Sequence, residues 1–570
     1  RRHAARSRRP HARLRPTQRH TMFGLSAGAL KLRRPHARLR PTQWAMIVIA
    51  ATTLASAVFL ALPRSDETAV AEPAGQSTPD RKANTGDHGR ESPTPGTKAT
   101  TYHHPGWIAD ENAKPGTAAW HIPDDPKMWS KIRGYANVTS IDHGGSFTLY
   151  VESPEAPWHV EAYRMGFYGG TGARLIWTSS PQPPVRQSPP VVDPTTNMRE
   201  ARWDPVLVVH TDDGWPPGQY LLKLVSGDGG ATFVPVVVRD DDSPAPLLMQ
   251  SAVTTWQAYN DWGGSSLYSG TGGRAKIVSF DRPYNGNGSG EFLGREFELI
   301  YFIERLGLDV TYWTDIDLHE RGELLLRRKA IVIGGHDEYY STAMRRALER
   351  ARDNGVNIAF LGANNVFRKI RLEPSPLGST RRQVNYRDPK LDPMRGKNDA
   401  EVTVEWRAAP SNEPESSLTG SYYECNPVKA DLVISDASAW MFEGTGVRNG
   451  DRWPNAVGNE YDRVTPGVPT PANIQILAHS PVTCKGKRSF ADMTYYSAPS
   501  GAGVFNAATF WLIPALDDAC LAGPAEGPPC QIQKMVDNLL RTFSSGPAGI
   551  VHPSVPNANQ FGIELNPATG

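Results

Sequence analysis

Cysteine is scarce in this 570-residue chain, which has only Cys425, Cys484, Cys520 and Cys530. No cysteine lies between residues 243 and 424, so a cysteine nucleophile is excluded from that part of the chain. An even number of cysteines in an exported chain, at spacings that fit no zinc ribbon, predicts two disulfides. The short separation of Cys520 and Cys530 favours a local pair, which leaves Cys425 to pair with Cys484.

Common catalytic and nucleotide-binding motifs are also missing. The sequence has no His-Glu-x-x-His and no P-loop, and beyond residue 120 it has no Gly-x-Ser-x-Gly. The glycine-rich stretches at 263–273 and 286–290 are typical of plain loops, and a phosphate-binding loop is the weaker alternative. Because the net charge is only +2, the composition offers no general argument for a nucleic-acid partner, and we expect none.

The amino-terminal part of the sequence has an unusual composition. Residues 1–43 are rich in Arg, His and Pro, which predicts a basic disordered leader; an arm for nucleic acid or anionic lipid is the alternative. Residues 44–62 carry no charge and match the roughly 20 residues that cross a bilayer. With basic residues before them, they predict a transmembrane segment or signal anchor. We therefore expect a single-pass cell-membrane protein with an extracytoplasmic body, or a secreted one if the segment is cleaved.

The rest of the chain divides into a linker, two domains and a tail. Residues 63–119 are rich in Pro, Ser, Thr and Gly, which predicts a disordered linker. Short alternating apolar runs over 120–242 predict an all-β, immunoglobulin-like sandwich. Over 243–545, strands alternate with helices, which predicts an α/β doubly wound parallel sheet of the amidotransferase-like or flavodoxin-like kind. This domain includes a loop-rich insertion at 371–455, and residues 546–570 form a carboxyl-terminal tail.

One stretch of the α/β region combines a buried strand with polar side chains. Residues 331–333, Ile-Val-Ile, are typical of a buried strand, and Gly334-Gly335 ends it. An amphipathic helix is predicted to begin at Ser341. His336, Asp337 and Glu338 therefore lie in a strand-to-helix turn, the place where open α/β sheets bind ligands.

Other polar residues follow neighbouring strands of the same predicted sheet. Tyr259 follows the first strand, Tyr284 the second, and Asn364 the strand after the His336–Glu338 turn. The ends of parallel strands share one edge, so we expect these side chains to converge. Phenolate and carboxylate oxygens suit a hard cation such as Fe(III), and the cation's field would help a phenol to ionise. The alternative is that the tyrosine-rich loops simply pack.

Several segments together resemble a known family. They are 163–170 (YRMGFYGG), 255–260 (TWQAYN), 281–284 (DRPY), 314–319 (TDIDLH), 336–341 (HDEYYS) and 361–364 (LGAN). In combination they resemble the large (beta) subunit family of N,N-dimethylformamidase, over roughly 125–545. The resemblance implies hydrolysis of a small N-substituted formamide by one iron, Fe(III), held by two tyrosines and one glutamate.

The resemblance also implies the ligands of that iron. Matched by motif, they are Tyr259, Tyr284 and Glu338, with Tyr268 and Tyr301 as rivals for the place of Tyr284.

Further roles follow from the same resemblance. His336 corresponds to a histidine behind the glutamate ligand. Asn364 and Glu460 correspond to substrate-side groups, and Glu460 or His336 would be the base. This sequence departs from the family turn at Asp337, where the family has proline.

These observations predict an exported, metal-dependent hydrolase of C–N (amide) bonds that acts on a small-molecule amide and forms a possible homo-oligomer. A non-catalytic cell-surface protein that binds glycan or a partner through aromatic loops is the alternative. A glycan-active enzyme is a third hypothesis, because Asp315 and Asp317, and Glu460 and Asp462, are close-set pairs. Nothing in the sequence places either pair across a cleft at the required spacing.

Overall fold

A computed structural model of the chain describes residues 101–520 and 526–567. The first part contains these helices and strands: α1 (Trp107–Asn112), α2 (Pro126–Trp129), β1 (Arg133–Ala136), β2 (Ser140–Asp142), β3 (Ser146–Glu152), β4 (Trp158–Met165), β5 (Ala173–Thr178), β6 (Val191–Val192), β7 (Arg199–Glu200), β8 (Leu207–His210), β9 (Gly218–Ser226) and β10 (Ala231–Arg239).

The helices of the second part are α3 (Val253–Tyr259), α4 (Gly290–Arg295), α5 (Phe297–Arg305), α6 (Asp315–Arg321), α7 (Thr342–Asp353), α8 (Ser416–Thr419), α9 (Pro528–Ser545) and α10 (Ala548–Val551). Its strands are β11 (Leu247–Ser251), β12 (Ile277–Ser279), β13 (Val310–Thr314), β14 (Ala330–Gly335), β15 (Tyr339–Ser341), β16 (Asn357–Gly362), β17 (Arg368–Ser375), β18 (Gly378–Val384), β19 (Tyr422–Val433), β20 (Arg452–Arg463), β21 (Pro469–Thr470), β22 (Gln475–Cys484), β23 (Lys487–Ser497), β24 (Gly503–Asn506) and β25 (Asn566–Pro567).

Two larger sheets and the small antiparallel pair β6–β7 form the first part. One has the strand order β1-β3-β8 and the other β2-β10-β9-β4-β5; the β2–β10 pair is parallel and the other pairs are antiparallel. Along β4, Trp158, Val160 and Ala162 are buried while His159 and Glu161 are only partly covered. This two-residue period places the apolar face against a core that both sheets share.

The central sheet of the second part has seven strands in the order β13-β11-β14-β16-β24-β23-β22. The first five strands are mutually parallel, but β23 runs antiparallel to both β24 and β22. Strands β22 and β23 are joined by Lys485 (φ 49°) and Gly486 (φ 80°), the positive φ pair of a two-residue hairpin turn. This hairpin reverses the chain without the crossover helix that a parallel pair needs.

The predicted fold class is therefore wrong. Most of the regular structure consists of strands in mixed sheets with few helices, and the described residues contain no clear doubly wound α/β domain. The insertion predicted as loop-rich contains most of β17, all of β18 and the long strand β19. Strands β15, β17, β18 and β12 form a further sheet, and β19 pairs with β20.

The predictions at the two ends of the chain have different outcomes. The leader (1–43) and the segment 44–62 lie outside the described residues. Nowhere in 101–520 or 526–567 is a helix both long and apolar enough to span a bilayer, so the described residues do not support the single-pass membrane localisation predicted from residues 44–62. Residues 101–119, assigned to the linker, include helix α1 with Trp107 buried. The tail includes α10, and its strand β25 pairs with β21.

Both predicted disulfides are confirmed. Cys425 is bonded to Cys484 across 59 positions of sequence, and Cys520 to Cys530 across 10.

Candidate active site

Two glycines let the turn after β14 approach the turn after β16. Gly335, the last residue of β14, has φ 66°, in the left-handed region that favours glycine. A Cβ atom on Gly362, the last residue of β16, would lie 1.9 Å from the carbonyl oxygen of Gly335. His336–Glu338 and Asn364 are thereby brought to the same edge of the sheet.

Glu338 is the centre of the site. Its side chain is buried, and its Oε2 accepts hydrogen bonds from the hydroxyls of Tyr259 at 3.2 Å and Tyr268 at 2.6 Å. The two phenol rings are stacked, with centroids 4.3 Å apart. The backbone N–H of Glu338 donates to Thr255 Oγ1 in α3, the helix that ends at Tyr259. Two phenols and one carboxylate therefore meet at one point.

The structure places the other two candidate tyrosines elsewhere. The ring of Tyr284 packs against Trp256, with centroids 6.3 Å apart. Tyr284 lines a small cavity together with Trp256, Tyr259 and Phe292, but its hydroxyl forms no hydrogen bond to Glu338 in the described structure. The hydroxyl of Tyr301 donates to Asp518. Among the predicted ligands, the structure thus brings Tyr259 and Glu338 together, while the second phenol on the carboxylate is that of Tyr268.

His336 stands between two carboxylates. Its Nε2 lies 3.4 Å from Glu338 Oε2 and 3.5 Å from Glu460 Oε2. Its ring packs on Phe510 at 4.8 Å. Asn364 Nδ2 lies 3.2 Å from the same His336 nitrogen. His336 therefore contacts both Glu460 and Asn364, the two other residues predicted for the catalytic roles.

Two buried oxygen atoms of this group accept no hydrogen bond from the described residues. They are Asn364 Oδ1 and Glu460 Oε2, and the latter is within ion-pair distance of His336 Nε2. The other oxygen of Glu460 accepts from Asn426 Nδ2 at 2.7 Å. The backbone N–H of Asn364, which has φ 58°, donates to Asp462 Oδ1 at 2.8 Å. Polar atoms left without partners in a buried place are available to a substrate or a water molecule.

Three further residues support the site and were not predicted from the sequence. Arg368 Nε lies 3.3 Å from Glu338 Oε1. Tyr339 donates its hydroxyl proton to the Tyr268 hydroxyl at 2.8 Å, and Arg387 Nη2 donates to Tyr339 at 3.0 Å. Tyr339 follows Glu338 directly, so its position in the turn was a usable signal. Arg368 and Arg387 lie in and after the β17–β18 hairpin, where the sequence shows no motif.

The electrostatics of the site favour an ionised glutamate beside protonated groups. Burial alone would raise the pKa of Glu338, but His336, Arg368 and the Tyr268 hydroxyl lower it to about 2. Burial would lower the pKa of His336, yet Glu460 and Glu338 raise it above its usual value. Burial, and then the charge of Glu338, raise the pKa of both Tyr259 and Tyr268. Without a cation, both phenols keep their protons.

Asp337, the departure from the family turn, contacts a different set of residues. Its Oδ2 accepts from Gln250 Nε2 at 2.7 Å and from the Tyr340 hydroxyl at 2.8 Å. Burial raises its pKa to about 6. The carboxylate therefore belongs to a hydrogen-bonded group within the sheet and not to the cluster around Glu338.

The oxygen donors around Glu338 fit a hard metal ion. Over the described ranges, no three His, Cys, Asp or Glu side chains form a metal-ligand group. The oxygen atoms that do converge are two phenols and one carboxylate, which are hard donors that fit a hard cation such as iron(III). The residues present therefore fit the iron that the family resemblance implies, provided that both phenols lose their protons.

Comparison with known proteins agrees with the sequence motifs. Residues 159–525 match the family described as "N,N-dimethylformamidase beta subunit-like, C-terminal". Over 341 residues, the chain is 25% identical to the N,N-dimethylformamidase beta subunit of an Alcaligenes species and 26% identical to that of Paracoccus aminophilus. Each match covers 52% of this chain and 43% of the relative.

The similarity to the solved structure described next is too low to define the fold. Domain 1 of VCBP3 from Branchiostoma floridae is 11% identical and covers 19% of this chain and 94% of its own, with a TM-score of 0.13. The family match, in contrast, covers more than half of the sequence and includes every residue of the site described above. The chain belongs to the N,N-dimethylformamidase beta subunit-like family.

Proposed function

We propose that this protein is a metal-dependent hydrolase of the C–N bond of small N-substituted amides. The observation that carries the proposal is the convergence of the Tyr259 and Tyr268 hydroxyls on Glu338 Oε2, beside His336 and Glu460. The two curated relatives are named as N,N-dimethylformamidase subunits, which supports an amide substrate.

Tyr259, Tyr268 and Glu338 would hold an iron ion in this proposal. Tyr268 replaces the Tyr284 expected from the sequence, because the Tyr268 hydroxyl contacts the carboxylate. Held by these residues, the ion would supply Lewis-acid chemistry, polarising an amide carbonyl and lowering the pKa of a water molecule. Tyr339 supports Tyr268 because it donates a hydrogen bond to the oxygen that would be the ligand.

Glu460 is proposed as the general base. Its Oε2 is buried, has no hydrogen-bond partner among the described residues, and lies 3.5 Å from His336 Nε2. Glu460 Oε2 would accept a proton from the attacking water and return it to the nitrogen of the departing amine. His336, between the two carboxylates, would hold Glu338 and Glu460 apart and compensate their charge.

Asn364 and the surrounding walls would orient the reactants. Asn364 Oδ1 is a buried acceptor without a partner in the described chain, so it can accept a hydrogen bond from water. The ring of Phe510 covers one side of His336. Tyr268 is 40% exposed and lies on the solvent side of the cluster. The other polar residues of the site, His336, Glu338, Asn364 and Glu460, are buried, which suits a small amide better than a polymer.

The experiment measures hydrolysis of a panel of amides, beginning with N,N-dimethylformamide and N-methylformamide. The amine released by each substrate is quantified. We expect Glu460→Gln to lower kcat by at least about 100-fold, the usual scale for loss of a general base. Glu424→Gln, a carboxylate control in the same β19–β20 hairpin, should stay within about twofold of wild type, because Glu424 contacts Tyr461 and Ser489 and no residue of the site.

Two results would contradict the proposal. One is equal activity of Glu460→Gln and Glu424→Gln. The other is a metal-loaded protein that hydrolyses no amide in the panel but is retained on insoluble polysaccharide, which would favour the non-catalytic alternative. Because the relatives are named as beta subunits, we also expect the active form to be an assembly, which light scattering can measure.

A further inference from the structure

The hairpin that carries Glu460 has an irregular register opposite that residue. In the β19–β20 ladder, Cys425 pairs with Tyr461 and Val428 pairs with Asn459, with a register shift between the two pairs. Two residues of β19, Asn426 and Pro427, therefore lie opposite the single residue Glu460. A bulge of this kind changes the direction in which a side chain points and is common beside active sites.

The bulge brings the Asn426 side chain onto Glu460. Asn426 Nδ2 donates to Glu460 Oε1 at 2.7 Å. In the described part of the chain, this is the hydrogen bond that the Glu460 carboxylate accepts. Its Oε2 accepts none and lies 3.5 Å from His336 Nε2. The amide therefore fixes which carboxylate oxygen faces the reacting groups.

A covalent bond holds the residue next to Asn426. Cys425 is bonded to Cys484, the last residue of β22, with the Cα atoms 6.3 Å apart. Strand β22 belongs to the central sheet that carries the Glu338 turn, whereas β19 and β20 form a separate two-stranded sheet. The disulfide thus ties the bulge directly to the sheet that carries the site.

We propose that Asn426 is a positioning residue for Glu460 and that the Cys425–Cys484 bond keeps its amide on the carboxylate. This inference rests on the proposed function, because it requires Glu460 to act on the substrate. Among the described residues, the hydrogen bond of the Asn426 side chain goes to Glu460, so its effect would pass through Glu460.

The first test is Asn426→Asp, which keeps the shape of the side chain and removes the N–H donor. We expect kcat to fall about 10- to 100-fold while KM changes less than about threefold, because a misplaced base slows the chemical step more than binding. The matched control is Asn412→Asp, an exposed asparagine of the same region whose φ of 52° aspartate tolerates. It should leave both constants near wild type.

The second test removes the tether. The double variant Cys425→Ser/Cys484→Ser should lower kcat about as much as Asn426→Asp, whereas Cys520→Ser/Cys530→Ser should not lower it by more than about twofold. Combining Asn426→Asp with the first pair should give no further loss, because both changes remove the same interaction. A merely structural role of the disulfide would instead make the losses multiply.

The outcomes separate this inference from the proposed function. If Glu460→Gln keeps full activity, the assignment of the base has failed. If Glu460→Gln is impaired but Asn426→Asp has wild-type kcat, or if the combined losses multiply, the positioning inference is overturned. If the cysteine variant does not fold, the Asn426→Asp result decides alone.

Discussion

A buried ion pair joins the amino-terminal sheets to the central part of the protein. Arg164 in β4 and Glu304 in α5 are both fully buried, with Arg164 Nη2 at 2.6 Å from Glu304 Oε1 and Arg164 Nη1 at 2.9 Å from Oε2. The same carboxylate accepts from Asn112 Nδ2 at 2.9 Å and from the Tyr312 hydroxyl. We predict that Glu304→Gln destabilises the protein by about 3–5 kcal/mol.

The magnitude follows from what the substitution leaves behind. Glutamine keeps the shape of Glu304 but not its charge, so the guanidinium of Arg164 remains buried without a counter-charge. Glutamine also presents one acceptor oxygen to a group of four donors, and each buried donor left unpaired costs roughly 1–3 kcal/mol. Burial alone would lower the pKa of Arg164, but Glu304 raises it, so the arginine stays charged.

The assay is urea unfolding followed by tryptophan fluorescence and far-UV circular dichroism. The control is Glu155→Gln, which breaks the exposed pair of Glu155 and Arg186, whose side chains are 67% and 72% accessible. We expect a loss of no more than about 0.5 kcal/mol for that variant, because exposed ion pairs contribute little. A Glu304→Gln protein within about 1 kcal/mol of wild type would refute the reasoning.

Three other predictions concern a buried acid, a close backbone contact and a support for the site. Burial raises the pKa of Glu296 to about 8, so the folded protein keeps a proton that the unfolded chain, with an ordinary pKa of 4.5, releases. Relative to Glu296→Gln, wild-type stability should therefore fall between pH 5 and 8, by on the order of 2–4 kcal/mol in urea unfolding; a flat difference would contradict this. Gly362→Ala should cost roughly 3 kcal/mol by the same assay, because its Cβ would lie 1.9 Å from a backbone oxygen of β14, while Gly294→Ala, with open space, should be neutral or stabilising. Tyr339→Phe removes the hydrogen bond to Tyr268 and should weaken metal binding roughly tenfold in a chelator competition; unchanged affinity would exclude a supporting role.

The sequence predicted those parts of the site that depend on residues close together in the chain. The run Ile331-Val332-Ile333 is a buried strand in the structure, and Gly335 ends it with a positive φ. The helix that follows is capped by Ser341, whose Oγ accepts from the Met344 N–H. The position of a polar turn after such a strand depends on residues close in sequence, so it could be inferred without knowledge of the whole fold.

The direction of the strands could not be inferred in the same way. An apolar run looks alike in a parallel and an antiparallel pair, so β23 gave no local sign of its orientation. The turn Lys485-Gly486 was a usable signal, since a glycine in a two-residue loop between strands favours a hairpin. The antiparallel β22–β23 hairpin at this turn is the reason that the doubly wound prediction failed at the β24–β23–β22 end of the sheet.

The position of Tyr268 depends on contacts that leave no recognisable pattern in the sequence. It lies in the 263–273 loop, which resembles a plain glycine- and serine-rich connection. The loop is held by a bridge between Ser265 and Gly270 and by Arg282 Nη1, which donates to Ser265 O at 2.9 Å. No sequence pattern indicates either contact. The family motif therefore selected Tyr284 as the second phenol, whereas the structure places the Tyr268 hydroxyl on Glu338.

The most direct test of the account is the metal content of the purified protein and of matched tyrosine variants. We expect about one iron per wild-type chain, with a visible phenolate-to-iron absorption band, as a donor set of two phenols and one carboxylate requires. Tyr268→Phe and Glu338→Gln should lose the iron, whereas Tyr284→Phe should keep both the iron and the band. Retention of iron by Glu338→Gln, or its loss from Tyr284→Phe but not from Tyr268→Phe, would contradict the site described here.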